Sequence, residues 1–401
     1  MLPSPKICVL PWMSLEATPA GTIRTCCLSL DEITNDGRKL TVADGLAAAY
    51  HSDSIQELRQ QFLAGERPNT CQRCWREEDA GRTSKRQWNI LKFSQLIDKI
   101  NWHNPSPDQL WFLDLKLGNI CNLKCRICGT WSSSKWAQEE MAHQNPANPK
   151  SSRAYQEIKL GEWPRKTNKF WDDLQALLPN VKYFEFTGGE PFLINEHIDL
   201  LKTAVDLGYA KDISIHYNTN GTVWDTELVK IWALFKHVEI AFSVDNIGKR
   251  FELERSGADW NEVCNNISLA AELRKTSQNI SMQVCITVNV QNVYYLEEIC
   301  KWADAQEFNS IYFNMLHDPA HMNIGNMTDQ AKKLVINHLA ENKFHSKFHN
   351  DISGIVGFIN NGAGGDGKEF CEFMKRTDAN RKENFAHTHP EIAEAMGYGQ
   401  T

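Results

Sequence analysis

Between Leu110 and Met315 short apolar or alternating runs recur among segments whose apolar residues fall at helical spacing. The runs are Leu110–Leu117, Val181–Thr187, Asp212–Asn218, Val238–Val244, Ile280–Val288 and Ser310–Met315. Each has the length and periodicity of a strand. Segments such as Glu196–Leu207, Asp225–Phe235, Trp260–Lys275 and Leu296–Ala305 carry the 3.6-residue pattern of amphipathic helices. A strand that rejoins its sheet after a helix does so by a right-handed crossover, which makes the sheet parallel. The six strand runs predict an α/β fold, a partial (β/α)6 barrel rather than a closed eight-stranded one, with a helical C-terminal extension. In such barrels chemistry gathers at the C-terminal ends of the strands.

The flanks divide the chain further. Residues 1–105 are rich in turn formers and cysteines, with Gly21–Cys26 reading as strand and Ser54–Ala64 as helix, and they predict a small metal-stapled domain. Asn104-Pro105-Ser106-Pro107 disfavours helix and suits a boundary. The barrel is expected over 106–318 and an extension over 319–401, with helices near Asp329–Asn342, Glu369–Arg376 and Pro390–Met396 and a glycine-rich loop at Asn360–Gly367. The connection Thr130–Asn168 is long for a crossover, and Asn145-Pro146-Ala147-Asn148-Pro149 divides it into helix and loop, as in a lid or a substrate contact.

Composition excludes several classes. With 42% hydrophobic and 23% charged residues, the chain reads as globular rather than disordered. No run approaches the ~18 apolar residues of a membrane span, and the start lacks the pattern of an export signal, so no membrane association and a cytoplasmic location are expected. The formal charge of −7, from 43 basic and 50 acidic residues, offers no general attraction to nucleic acid. In a reducing compartment, 12 cysteines point to metal or redox chemistry. Cys264, Cys285, Cys300 and Cys371 are scattered and read as ordinary thiols. The others fall early, in Cys8, Cys26/Cys27, Cys71/Cys74 and Cys121/Cys125/Cys128.

Directly after the first expected barrel strand comes Cys121-Asn-Leu-Lys-Cys125-Arg-Ile-Cys128. At this cysteine content, companions at both +4 and +7 arise by chance for roughly one cysteine in a thousand. A structural zinc site normally closes with four ligands, and the loop has three. A [4Fe–4S] cluster held by three thiolates leaves one iron open to a small molecule.

This loop resembles the CxxxCxxC signature of the radical S-adenosylmethionine (SAM) superfamily, carried after the first strand of a partial (β/α)6 barrel. Thr187-Gly188-Gly189-Glu190-Pro191, at the end of the second strand, is similar to that family's GGE motif, which implies contact with the amino group of SAM. Asn218-Thr219-Asn220-Gly221 and Ser243-Val244-Asp245 resemble its ribose-contacting motifs, and Arg255 resembles an arginine that pairs with the SAM carboxylate. These types suit the task, since hydroxyl and amide groups bond ribose and a guanidinium binds carboxylate bidentately. Ile127 departs from the aromatic residue often found before the third cysteine.

The N-terminal cysteines form a second pattern. Cys8, then Gly21 and Cys26, then Cys71-Gln-Arg-Cys74 are similar to the first half of a SPASM motif, the twitch domain, which implies an auxiliary [4Fe–4S] cluster on Cys8, Cys26, Cys71 and Cys74. Cys27 is an alternative to Cys26, and a four-cysteine zinc knob is an alternative to the cluster. Relatives usually carry this domain after the barrel, whereas here it precedes it; a weaker echo runs from Arg381 to Ala395. The resemblance implies an enzyme that reductively cleaves SAM to a 5′-deoxyadenosyl radical, abstracts hydrogen from a peptide or protein, and draws electrons from a donor such as flavodoxin or ferredoxin. The rival readings are a small polar metabolite as substrate, such as a sugar or nucleotide, and a non-catalytic zinc-stapled binding protein.

Other features read more plainly. Among 13 tryptophans, Trp12, Trp75, Trp88, Trp111, Trp131 and Trp136 are expected mostly in core or at domain interfaces. Arg73, Arg76, Arg82, Lys85 and Arg86 alternate with acids and are expected on a solvated helix face. His317, His321, His387 and His389 are expected at the surface.

Overall fold

The structure is a computed structural model that describes residues 2–79, 81, 83–144, 148–342 and 344–399. The expected α/β architecture is present. The chain forms two compact units, one from Met1–Cys121, Thr130–Tyr217 and Asp225–Val238, the other from Asn122–Gly129, Asn218–Trp224 and Glu239–Thr401.

In the first unit, β1 (Ser14–Ala17) and β2 (Ile23–Arg24) are antiparallel, and β1 lies parallel to β3 (Phe112–Lys116). β3 pairs in parallel with β4 (Tyr183–Thr187), and β4 with β5 (Ser214–Thr219). The N-terminal segment is thus built into this sheet through β1. Register places Glu16, Asp114, Glu185 and His216 in one row across the strands. Paired residues of parallel strands share a face, so one face of this sheet is lined by ionisable groups. The opposite face carries Leu113, Leu115, Phe184, Phe186, Ile215 and Tyr217, all buried. At about 1.5–3 kcal/mol for each large apolar side chain, that face supplies much of the cohesion that tolerates a polar row.

Helices flank these strands where the apolar spacing predicts them: Asn195–Asp206, Thr226–Trp232 and the N-terminal Asp53–Leu63. Asp225 starts its helix by accepting hydrogen bonds from the backbone N–H of Glu227 and Leu228 at 2.8 and 3.0 Å, which satisfies donors the first turn leaves open. A small core gathers around Trp12, which is fully buried and donates through its indole N–H to Trp102 O at 2.9 Å. The long connection forms Ser134–Gln144 and Arg153–Gly161; the break at Asn145-Pro146-Ala147 lies outside the described residues.

The second unit contains β6 (His237–Ser243, entering at Glu239), β7 (Ile280–Val288) and β8 (Ser310–Met315), with β7 and β8 parallel from Gln283↔Ser310 to Val288↔Met315. β7 alternates strictly between buried and half-buried residues. Helices Trp260–Thr276 and Leu296–Ala305 follow as expected, the first capped by Asp259. The C-terminal extension is helical, with Asp329–Glu341, His349–Asn361, Lys368–Arg381 and Pro390–Ala395. Among the described residues no helix is long and apolar enough to cross a membrane.

Candidate functional site

In the first unit, Cys121 ends the segment that follows β3. Its backbone N–H donates to Ser134 Oγ at 3.2 Å, which anchors the start of the cysteine loop to the next helix. The glycine turn after β4 packs against the same segment. Gly188 has φ +114°, and a Cβ there meets Leu117 N at 2.7 Å; a Cβ on Gly189 meets Ile120 O at 2.1 Å. Both glycines are required because two strand ends touch backbone to backbone. Glu190 is almost fully buried, its N–H donates to Ile120 O at 2.8 Å, and its carboxylate accepts from Phe192 N at 3.2 Å.

In the second unit, Lys124–Cys125 pairs antiparallel with Arg255–Ser256, with Cys125 opposite Arg255. The Cys125 and Cys128 thiols interact with each other, and Arg255 Nη1 lies 3.9 Å from Cys125 Sγ. Arg255 also donates to Asp245 Oδ2 at 2.7 Å, while Asp245 Oδ1 accepts from Thr287 N at 2.8 Å. Asp245 and Arg255 are therefore partners of one another. Burial pushes the Asp245 carboxyl up, and the guanidinium opposes that; Arg255 is pushed above its ordinary value by the charges around it, which outweigh its own burial. Asn220 donates to Asn122 Oδ1 at 3.0 Å, Asn122 donates to Thr222 Oγ1 at 2.8 Å, and Thr222 donates back to Asn220 Oδ1 at 2.6 Å. That ring of bonds ties the loop after β5 to the cysteine loop. Asn218 and Ser243 are half-buried.

Within the second unit the donors around Arg255 suit a ligand carboxylate. Among the described residues, Arg255 Nε is a buried donor with no hydrogen-bond acceptor, an arrangement that costs free energy unless a ligand oxygen completes it.

The N-terminal cysteines of the first unit also come together. Cys8, Cys26, Cys71 and Cys74 line one small cavity with Phe62, Lys85 and Arg86. Cys27 turns elsewhere and accepts from Lys85 Nζ at 2.8 Å. Burial first, and then repulsion among the neighbouring cysteines, push the Cys8 and Cys71 thiols up. Among the described residues no three Cys, His, Asp or Glu side chains are arranged to hold a single metal ion. A cubane spreads its thiolates over the corners of a cage, more widely than the tetrahedron around one zinc at about 2.3 Å.

Several residues differ from expectation. Arg73 and Arg76 are exposed, but Arg86 is buried: it pairs with Glu78 at 2.7 and 2.8 Å and donates to Ile7 O at 2.7 Å, holding the segment before Cys8 to the helix of Cys74. Lys85 is largely buried, between Cys27 and Asp114, whose Oδ2 is 3.7 Å away. Arg82 lies outside the described residues. His389 is fully buried on Glu254 Oε1 at 2.9 Å, and His321 is half-buried, while His317 and His387 are exposed. Trp88 and Trp131 are exposed rather than core. Cys300 and Cys371 are buried thiols, whereas Cys264 and Cys285 are half-buried.

The polar row on β1, β3, β4 and β5 had no signal in sequence. Glu16 accepts from Arg24 twice at 2.9 Å and also from Lys116. Among the described residues, Asp114, 1% exposed, has no hydrogen bond to either carboxylate oxygen. Burial first, and Glu185 second, push Asp114 up to about 7, while neighbouring cations hold Glu185 well below the usual range.

Within the first unit a glycine turn packs against the segment leading into the cysteine loop, and within the second a buried arginine lies beside Cys125. Residues 115–303 match the model of the radical SAM superfamily. Proteins of that superfamily use a [4Fe–4S] cluster and SAM. Among solved structures, the chain is similar to native anSMEcpe with bound AdoMet and Cp18Cys peptide, at 17% identity over 60% of each chain with a TM-score of 0.36. It is similar to Streptococcus suis SuiB bound to precursor peptide SuiA, at 15% identity over 71% of this chain and 57% of that one with a TM-score of 0.31. A further SuiB structure shows 13% identity over 88% and 69%, with a TM-score of 0.36. The chain spans about 60% of the length of anSMEcpe. No curated protein matches the chain significantly.

Proposed function

We propose that this protein is a radical SAM enzyme that modifies a peptide or protein, with Cys121, Cys125 and Cys128 holding the SAM-binding cluster. The observation that carries the reading is the pairing of Cys125 with Arg255 across two antiparallel strand residues, inside a segment that matches the superfamily. With cluster and SAM bound, the site supplies reductive cleavage of the sulfonium to methionine and a 5′-deoxyadenosyl radical that abstracts hydrogen from the substrate. The protein's own residues bind and orient. Gly188, Gly189 and Glu190 present backbone and carboxylate to the amino end of SAM, and Arg255 offers Nε to its carboxylate. Asn218, Asn220, Ser243 and Asp245 serve the ribose side, with Asp245 also holding the guanidinium in place.

The N-terminal module, residues 1–105, holds the auxiliary [4Fe–4S] cluster on Cys8, Cys26, Cys71 and Cys74, supported by the one cavity they line. A peptide or protein substrate follows from the twitch-like pattern of those cysteines. A flavodoxin- or ferredoxin-type donor supplies electrons.

Removing Arg255 tests the SAM assignment. Arg255→Ala deletes a buried charged donor, so SAM affinity falls by roughly 1–3 kcal/mol while iron content stays at the wild-type level, read by equilibrium dialysis and iron analysis. Unaltered SAM affinity removes Arg255 from the site.

A further inference from the structure

The loop that carries Cys125 and Cys128 is gripped from a distant part of the chain, within the second unit. Arg126, between those two cysteines, is fully buried. A guanidinium in that position needs anionic partners. They come from the C-terminal extension, beyond the segment that matches the superfamily: Asp378, near the end of helix Lys368–Arg381, and Glu383, whose Oε2 accepts from Arg126 Nη2 at 2.7 Å. Arg126 Nη1 also reaches Met374 Sδ at 3.0 Å. Asp378 is itself fixed, because its Oδ2 accepts from Phe385 N at 2.7 Å and from the Tyr398 hydroxyl at 2.5 Å. Lys382, left-handed at φ +55°, ends the helix and turns the chain toward Glu383.

The grip is not confined to one side chain. Arg381 donates to Lys124 O at 2.8 Å, one residue before Cys125. The other oxygen of Glu383 accepts from Ser256 Oγ at 2.7 Å, one residue after Arg255. Arg126 N donates to Glu254 O at 2.7 Å, and the Glu254 carboxylate is held by His389 of the extension at 2.9 Å and by Asn246 at 2.7 Å. Glu383 therefore bonds at once to the cysteine loop and to the strand of Arg255.

We infer that the C-terminal extension is a positioning clamp for the SAM site, in which Glu383 fixes the cysteine loop relative to the Arg255 strand. The inference rests on Cys125 and Cys128 being cluster ligands. It assigns the extension a task that a merely covering layer lacks. Two carboxylates on one guanidinium, one of them shared with the opposite strand, resist relative displacement of the two segments in a way that apolar packing does not.

The test uses the reconstituted full-length holoenzyme with Glu383→Ala, Glu383→Gln and Ser256→Ala. In Glu383→Ala, iron content stays at the wild-type level, SAM binding weakens by about tenfold or more, as expected for the loss of buried charge-assisted hydrogen bonds, and the change that SAM causes in the electron paramagnetic resonance spectrum of the reduced cluster shrinks. Ser256→Ala, which leaves Arg126 paired, moves both readouts in the same direction by less. Glu383→Gln, whose single amide oxygen can still accept from Arg126 while its NH2 donates to the Ser256 hydroxyl, restores part of the SAM affinity. In the metal-free protein, hydrogen exchange across Asn122–Gly129 speeds up in Glu383→Ala. Wild-type SAM affinity and spectral response in Glu383→Ala overturn the clamp, as does loss of SAM binding only in proportion to loss of iron, the mark of general structural support. Wild-type protein whose cluster spectrum ignores SAM overturns instead the reading on which the clamp rests.

Discussion

With Cys121, Cys125 and Cys128 all changed to Ala, the reconstituted protein keeps about half its iron and a [4Fe–4S] spectrum while losing all response to SAM. The reason is the separation of ligands in the chain. Cys8, Cys26, Cys71 and Cys74 line their own cavity, which Lys85 and Arg86 close and which Phe62 backs, and none of the loop cysteines belongs to it. Because the two sets of thiols are separate, removing one leaves the other able to hold a cluster. Arg86 and Glu78 hold the cysteine-bearing segments together independently of the barrel loop. Iron and sulfide analysis with absorption spectroscopy reads the outcome. Zinc, or no metal, in the triple variant leaves a one-cluster protein with a structural N-terminal knob.

The second large effect is on stability. Arg126→Met keeps the length of the side chain and its contact with Met374 but removes the charge that Asp378 and Glu383 face. Asp378 is 6% exposed, so its carboxylate is left without a counter-ion away from water. Breaking a buried pair from one side costs about 3–5 kcal/mol. Adding Asp378→Asn to Arg126→Met recovers part of the loss, because a neutral amide tolerates burial that a carboxylate does not. Urea unfolding of the two variants beside wild type measures both. A loss under about 1 kcal/mol in Arg126→Met, the size of an exposed ion pair, shows that the network is solvated.

Much of this was legible from periodicity. The strands at Ile280–Val288 and Ser310–Met315 carry the expected bounds, because alternation over a half-buried sheet face leaves little freedom in where a strand starts. The helix from Trp260 was equally plain, since Asp259 supplies its cap. What periodicity cannot carry is pairing over long separations. Arg86 reads as one charge among several on a helix, yet one of its acceptors, Ile7 O, lies 79 residues away. Arg126 and Asp378 are 252 residues apart, so nothing local marks either as buried. His389 follows the same logic, with its partner Glu254 at a separation of 135. Adjacent cysteines are ambiguous in sequence, and only the turn after β2 sends Cys26 to the cavity and Cys27 to Lys85. The row Glu16, Asp114, Glu185 and His216 comes from strand register, which no single strand contains.

The most direct test of the account is a single-turnover assay on reduced, reconstituted protein supplied with SAM alone. Release of 5′-deoxyadenosine and methionine in equal amounts by the wild type, and none by Cys125→Ala, is the expected result. Equal SAM cleavage by Cys125→Ala and the wild type, or none by a wild type that carries its full iron and sulfide, contradicts it.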